Sequence, residues 1–328
     1  MLHALKKWRH DKNYLIHEVT LARWVVFFLM IGVFAGSWDI WWHISIGREN
    51  LFIPPHLMIY LSTGLTILAG IYGWFKTRER LWKRLAIFLC FVPLLAPFDE
   101  AWHRIFGIEN LMTPMILWSP PHMALGLVYL VSFIFIYPLV HDTDQSLYGR
   151  WLFSGLALVS IFGTIFVFTS PFDPYGPYDV LGYYGTFVYG ILVTAMLLVA
   201  SRFLHGTGSA TFAAALFLVI YSIIAGNITP GPGILLPAYF QPPTWIQVGA
   251  FMSAAIIIDF TTFFPTLLRA LISGSVWAFI YYGVAVSFMP ATAAYTAEQA
   301  MTAVVCAIIG ALITGICAPR VFRWLERR

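Results

Sequence analysis

The chain has 328 residues, of which 60% are hydrophobic and only 10% are charged. Soluble domains carry about 25% charged residues, so this composition excludes a soluble globular protein and predicts an integral membrane protein built from spans of roughly 20 residues. The formal net charge of +4 at pH 7 does not indicate a nucleic-acid partner, because Lys and Arg in a membrane protein mark the cytoplasmic side.

Ten apolar runs follow one another along the chain. The backbone must satisfy its own hydrogen bonds in lipid, so runs of this length predict helices rather than barrel strands. We therefore expect an all-α, polytopic membrane bundle of about ten transmembrane helices arranged as hairpins. The predicted spans are 21–46, 55–75, 84–105, 121–140, 151–169, 180–203, 210–226, 243–259, 265–288 and 298–318.

The distribution of charge predicts the orientation. Segments on the side of the N-terminus hold seventeen Lys and Arg residues, against two, Arg48 and Arg104, on the other side. This positive-inside bias predicts that both termini are cytoplasmic. The basic segment 1–20 lacks a small-residue cleavage site after the first apolar run, which indicates an uncleaved signal-anchor in a bacterial or archaeal cytoplasmic membrane.

The most specific feature is a motif that occurs twice. Both copies read D-x3-H-x3-G-x-E-N-L, and Pro-Pro-His follows after two further residues in the first copy and after eight in the second. The first copy consists of Asp39, His43, Gly47, Glu49, Asn50, Leu51, Pro54, Pro55 and His56. The second consists of Asp99, His103, Gly107, Glu109, Asn110, Leu111, Pro120, Pro121 and His122. The repeat predicts a duplicated four-helix unit over 21–140, followed by a six-helix unit over 141–328 with Pro- and Gly-rich outer loops.

The spacing of the motif is that of a metal site. Asp39 and His43 are four residues apart, so a helix places them on one face, about 6 Å apart along its axis. His56 follows Pro-Pro and falls in the first turn of the next helix, where the helix dipole disfavours imidazolium and favours the neutral ligand form. We expect two Asp/His/His metal sites near the outer face. Their ligands are Asp39, His43 and His56, and Asp99, His103 and His122, and the groups expected to hydrogen-bond these ligands are Glu49, Glu109, Asn50 and Asn110.

The remaining titratable residues are distributed differently. The five histidines outside the repeat (His3, His10, His17, His141 and His205) all fall on the predicted cytoplasmic side. Asp142 and Asp144, beside His141, are read as a solvated loop. Cys90, Cys306 and Cys317 lie inside apolar runs and do not form a disulfide framework. Ionisable residues inside a membrane are functional by default, which favours metal binding over the alternative that the repeat is an old duplication kept for packing.

Mixed imidazole and carboxylate ligands suit copper, zinc or iron, and three protein ligands leave a position open for catalysis. The spacing Asp39-x3-His43-x12-His56 resembles that of the copper ligands in the C subunit of the membrane-bound copper monooxygenases, the particulate methane and ammonia monooxygenase family. That subunit carries a second triad with Asn in place of Asp, to which Asp99, His103 and His122 correspond. The resemblance covers residues 39–122 only.

This resemblance implies copper near the outer face of an all-helical subunit, which oxidises a small apolar substrate with dioxygen beside further membrane subunits. Three alternatives stay open. A metal-ion or proton transporter would need ionisable residues along the same helices, and none lies between Arg23 and Asp39 or between Arg84 and Asp99. A haem-binding, quinol-oxidising protein would use His43 and His103 as axial ligands. A non-catalytic subunit of a larger complex would keep the repeat for structure.

Overall fold

A computed structural model of the chain describes residues 12–46, 51–106, 119–144, 146, 148–169, 180–204, 206–227, 245–284 and 296–326. Within these ranges the chain is helical and contains no strand. The α-helices are α1 Lys12–Ser45, α2 Pro54–Thr77, α3 Arg80–Leu89, α4 Phe91–Phe106, α5 Pro120–Thr143, α6 Gly155–Thr169, α7 Val180–Phe203, α8 Ser209–Asn227, α9 Trp245–Phe260, α10 Thr266–Ala278 and α11 Ala297–Glu326. Two π-helical segments, Gly149–Ser154 and Phe279–Val284, precede α6 and follow α10.

The lengths of the apolar helices agree with a membrane protein. In the described ranges seven helical stretches are long and apolar enough to cross a bilayer: His17–His43, Pro54–Thr77, Arg80–Phe106, Pro120–Thr143, Tyr183–Phe203, Thr266–Val284 and Ala297–Trp324. Three shorter apolar helices are Trp151–Phe166, Ser209–Ile224 and Trp245–Phe260. The all-helical membrane class is therefore confirmed, whereas the count of ten spans and the cytoplasmic position of the termini stay predictions.

The third predicted span is interrupted in a way that the sequence explains. Helix α3 ends at Leu89 and α4 begins at Phe91. Pro93 lacks the N–H that would donate to the carbonyl of Leu89, and its ring crowds that carbonyl, so the regular helical ladder breaks at this point. The amide of Cys90 still donates to Ala86 at 3.2 Å. The two helices together supply one membrane-crossing stretch that carries Asp99 and His103 near its end.

The chain forms two compact units. The first contains α1–α5 and the part of α6 that ends at Thr164. In it α1 packs on α2 and α5, α3 packs on the same two helices, and α4 packs on α5. The core lies in the half away from the repeat and consists of large apolar side chains that are at most 1% exposed, among them Val25, Val26, Leu29, Leu85, Leu89, Phe133 and Ile136.

A buried ion pair ties the first helix to the end of α5. Asp144 accepts from Arg23 Nε at 2.7 Å and Nη2 at 3.0 Å, and its side chain is 2% exposed. Burial opposes ionisation of this carboxyl, but hydrogen bonds from Arg23 and Ser146 more than offset it, so the pKa of Asp144 lies below its usual value. The interpretation of Asp144 as a solvated loop residue is therefore wrong. Its partner lies 121 positions away in sequence, beyond the reach of local pattern.

The second unit contains α7–α11 and the end of α6 from Ile165. Small residues bring its long helices into close contact: a Cβ added at Gly190 of α7 would lie 2.1 Å from the carbonyl oxygen of Ala307, and one at Gly310 of α11 would lie 2.3 Å from that of Phe187. Close approach of this kind drives helix association in lipid. Asp259, near the end of α9, accepts from the first-turn amides of α8.

Candidate metal centre

The first copy of the repeat brings its three predicted ligands together. Asp39 and His43 lie one turn apart on α1, and His56 is the third residue of α2 after Pro54 and Pro55. Oδ1 of Asp39 lies 3.3 Å from Nε2 of His43 and 3.0 Å from Nε2 of His56. The ligand atoms of the three residues lie within 4.8 Å of one another. The hairpin therefore closes the triad as the spacing predicts.

A backbone carbonyl fixes the orientation of the His56 ring. Its Nδ1 lies 3.2 Å from the carbonyl oxygen of Leu51, so an Nδ1–H donor leaves the Nε2 lone pair directed into the triad. The hydroxyl of Tyr60, one turn along α2, donates to the same carbonyl at 3.3 Å. A ligand histidine that donates its other nitrogen to a carbonyl is the usual arrangement around a bound metal. The spacing of the motif gives no signal for this role of Leu51 or Tyr60.

The second copy repeats the geometry. Asp99 and His103 lie one turn apart on α4, and His122 is the third residue of α5 after a second Pro-Pro. Oδ1 of Asp99 lies 3.2 Å from Nε2 of His103 and 3.4 Å from Nε2 of His122. The side chains of Asp99 and His103 are 9% and 2% exposed. In the first triad the side chains of Asp39 and His43 are 15% and 12% exposed, whereas for the third ligand the order is reversed, with His56 at 7% and His122 at 25%.

The distances between ligand atoms are close to, and in two cases slightly shorter than, the edges of a tetrahedral metal site. Ligands bound at about 2.0–2.2 Å in tetrahedral geometry lie roughly 3.3–3.6 Å from one another. The four carboxylate-to-imidazole distances fall between 3.0 and 3.4 Å. In both triads one carboxylate oxygen faces the Nε2 atoms of both histidines. Three ligand atoms that converge in this way are arranged to share an ion with little movement.

Hydrogen bonding between Asp and His would give similar distances, but it requires a different distribution of charge. For Asp39 to accept from two Nε2–H groups while Nδ1 of His56 donates to Leu51, His56 must be an imidazolium. His56 lies in the first turn of α2, where the positive end of the helix dipole opposes that charge. Neutral imidazoles whose Nε2 lone pairs meet a cation satisfy both the dipole and the carboxylate. The residues present therefore fit a metal ion.

The two triads lie side by side. The rings of His43 and His103, one from each copy, stack with centroids 6.0 Å apart and planes inclined by 28°. His56 lies 5.9 Å from His43, and His122 lies 5.5 Å from His103. The four imidazoles thus form a continuous row through both triads. Sequence spacing predicted each triad but did not determine that the two would be neighbours.

The row of imidazoles has aromatic side chains at its rim and an apolar core toward the other end of the unit. Trp102 packs on Phe106 with ring centroids 4.3 Å apart, and Trp38 packs on Trp42. Toward the other end of the unit the apolar core begins at Leu29, ten residues and about 15 Å along α1 from Asp39. The described part of the first unit therefore places an apolar core on one side of the triads.

Four residues predicted to hydrogen-bond the ligands, Glu49, Asn50, Glu109 and Asn110, lie outside the described ranges, as do Gly47, Gly107 and Leu111. The outer loops 170–179 and 228–243 also lie outside them. Among the residues that are described, Nδ1 of His43 is buried without a hydrogen-bond partner. Nδ1 is the ring atom that such a group would hydrogen-bond when Nε2 faces the metal, and the prediction about these four residues stays untested.

Fold and site together define an all-helical membrane protein with two adjacent Asp/His/His groups. Comparison with protein-family models, with curated proteins and with solved structures finds no significant match for this chain. Function is therefore inferred from the site.

Proposed function

We propose that this protein is a membrane copper protein in which each triad binds one metal ion, and that it acts as, or within, an oxygen-dependent oxidase or monooxygenase of a small apolar substrate. The observation that carries the proposal is the convergence of Asp, His and His in both copies of the repeat at ligand-to-ligand distances of 3.0–3.4 Å. The proposed topology has ten spans, with both termini cytoplasmic and the metal sites facing the outer side.

The donor set supports copper but does not single it out. Imidazole with carboxylate suits copper, zinc and iron alike, and three protein ligands leave a position open. Copper bound there would supply redox chemistry with dioxygen. The protein's own residues would hold it through Asp39, His43 and His56, and through Asp99, His103 and His122. The carbonyl of Leu51 would fix the ring of His56, and the rim aromatics would give an apolar substrate its contacts.

The same geometry bears on the alternatives. Nε2 of His43 and Nε2 of His103 are directed to their own carboxylates, at 3.3 and 3.2 Å, whereas two axial ligands of one haem would direct them at a shared iron. A conducting path through α1–α5 would have to cross the apolar core around Leu29, Phe133 and Ile136, which are at most 1% exposed. Both observations favour a site that retains its metal.

Elemental analysis of the full chain, purified in mild detergent after growth with copper, zinc and iron, tests the proposal. The wild type is compared with His43→Ala/His103→Ala, which removes one imidazole from each triad. His17→Ala is the matched control, because His17 is exposed on α1, far from Asp39. We expect two copper ions per chain in the wild type and the control, and none in the double variant. Equal metal content in all three, or no metal in any, would contradict the proposal.

A further inference from the structure

We propose that the paired triads discriminate between ions by charge: two monovalent ions fill both triads together, whereas a divalent ion in one triad strongly disfavours a second in the other. This inference rests on the proposed function, because it requires that the triads bind metal. It adds a prediction of the oxidation state of the metal ions when both triads are occupied.

The inference starts from the spacing of the rings that face each other. The centroids of His43 and His103 are 6.0 Å apart, which is less than the Debye length of about 8 Å at physiological ionic strength. The side chains of the two residues are 12% and 2% exposed. Ions bound at their Nε2 atoms would therefore interact with little screening by salt and with limited access of water.

The interaction between two bound ions scales with the product of their charges. That product is four for two divalent ions and one for two monovalent ions, whatever the effective dielectric constant. Fixed charges such as Asp39 and Asp99 set how tightly each triad binds its own ion. They are present whether the other triad is filled or empty, so they cancel from the coupling between the sites.

The net charge of each filled triad also disfavours two divalent ions, through the total affinity rather than through the coupling. Each triad contributes one carboxylate, which neutralises a monovalent ion and leaves a divalent ion with a net charge of +1. Two such charges in one half-buried row are disfavoured. Of the three metals that suit these ligands, copper has an accessible monovalent state. The structure therefore favours two copper(I) ions over two zinc(II) ions as the fully loaded form.

The magnitude is large enough to measure. For charges about 6 Å apart, the spacing of the facing rings, even the dielectric constant of bulk water weakens binding of the second divalent ion by roughly 100-fold, but that of a second monovalent ion by only about 3-fold. A lower dielectric constant widens this difference. The comparison between copper(I) and zinc(II) is made in one protein with both triads present, so the two ions meet the same pair of sites.

The test is an anaerobic titration of the full chain in mild detergent, with zinc(II) in one series and chelator-buffered copper(I) in the other. A chloride-free buffer removes halide that would bridge the ions. Cys90, Cys306 and Cys317, all free thiols, are replaced by serine because thiolates bind copper(I). His103→Ala/His122→Ala isolates the first triad, and His43→Ala/His56→Ala isolates the second. Asn replaces Ala in any variant that is not monodisperse.

We expect each isolated triad to bind one zinc(II) or one copper(I). In the intact chain we expect two copper(I) ions within a few-fold of the isolated affinities, and a second zinc(II) bound roughly 100-fold or more weakly than the first. Two zinc(II) ions bound at the isolated affinities would overturn the inference and leave the metal sites standing. Isolated triads that bind neither ion would instead overturn the proposed function.

Discussion

His43 and His103 come from different copies of the repeat, yet their imidazole rings stack 6.0 Å apart. A duplication kept only for the shape of its turns does not require the polar ends of the two hairpins to meet. Here they meet through the side chains of the proposed metal ligands, in a unit whose other half is apolar. The adjacency thus makes the two copies parts of one centre, and each triad must be tested both alone and beside its neighbour.

The first prediction concerns the carboxylate. Asp39→Asn keeps the shape of the side chain and an oxygen ligand but removes the negative charge that both Nε2 atoms of the triad face. We expect metal affinity at the first triad to fall by on the order of 10–100-fold, while the second triad keeps its ion. Isothermal titration with zinc(II) in the His103→Ala/His122→Ala background, which isolates the first triad, measures the loss.

Glu100→Gln is the matched control for this substitution. Glu100 adjoins Asp99 in sequence and pairs with the exposed Arg104 at 2.9 Å, so Glu100→Gln removes one carboxylate near the centre that is not a proposed ligand. In the same background its zinc affinity should equal that of the protein with Glu100 intact. If Asp39→Asn behaved like Glu100→Gln, Asp39 would be no ligand.

Local geometry explains which parts of the site the sequence predicts. Four-residue spacing on a helix and Pro-Pro at a helix start determine the positions of Asp39, His43 and His56 by short-range rules. The approach of His43 to His103 depends on how four helices pack, which no local pattern specifies.

Leu51 was missed because its role is played by a backbone carbonyl, on which the side chain carries no information. The Arg23–Asp144 pair was missed because it spans 121 positions. The break at Cys90 had a local signal, Pro93, within the predicted span 84–105.

The second prediction concerns the packing beneath the triads. Gly32 lies two turns along α1 from Asp39, and a Cβ added there would lie 2.3 Å from the hydroxyl oxygen of Tyr129. That hydroxyl is within 3.2 Å of Thr63 Oγ1 on α2, so Gly32 admits a side chain that joins α5 to the first hairpin. Gly32→Ala should displace the phenol and destabilise the protein by about 1–3 kcal/mol, measured by thermal unfolding in detergent.

Gly36→Ala provides the comparison, one turn further along the same helix. A Cβ at Gly36 meets nothing within 4 Å, so the substitution adds only the greater helix propensity of alanine, worth up to about 1 kcal/mol in favour of the fold. Tyr129→Phe should partly rescue Gly32→Ala, because the closest of the clashing atoms is removed. Equal stability of the two glycine variants would contradict this account of Gly32.

The third prediction concerns the response to acid. Hydrogen bonds hold the pKa of Asp144 below its usual value, so its unfolded form binds a proton more readily than its folded form. The stability that it contributes is fully present above the unfolded pKa of about 3.9 and is lost as pH falls through the lower folded pKa. Asp144→Asn should be less stable than the wild type at pH 7, and its stability should fall less between pH 5 and pH 3. Parallel loss of stability in both proteins would exclude Asp144 as an acid-sensitive group.

The last prediction separates stability from metal binding. Asp259 accepts from the amides of Ala210 and Thr211 at 3.1 and 2.8 Å and from the hydroxyl of Thr211 at 2.7 Å. It therefore serves the unpaired first-turn N–H groups of α8, as a capping side chain does. Asp259→Ala should destabilise the second unit by about 0.5–2 kcal/mol. Because the triads belong wholly to the first unit, copper content per folded chain should stay at the wild-type level, which elemental analysis of the monodisperse fraction measures. Loss of copper from folded Asp259→Ala would show that metal retention depends on residues beyond the two triads and would contradict the assignment of the site to the repeat alone.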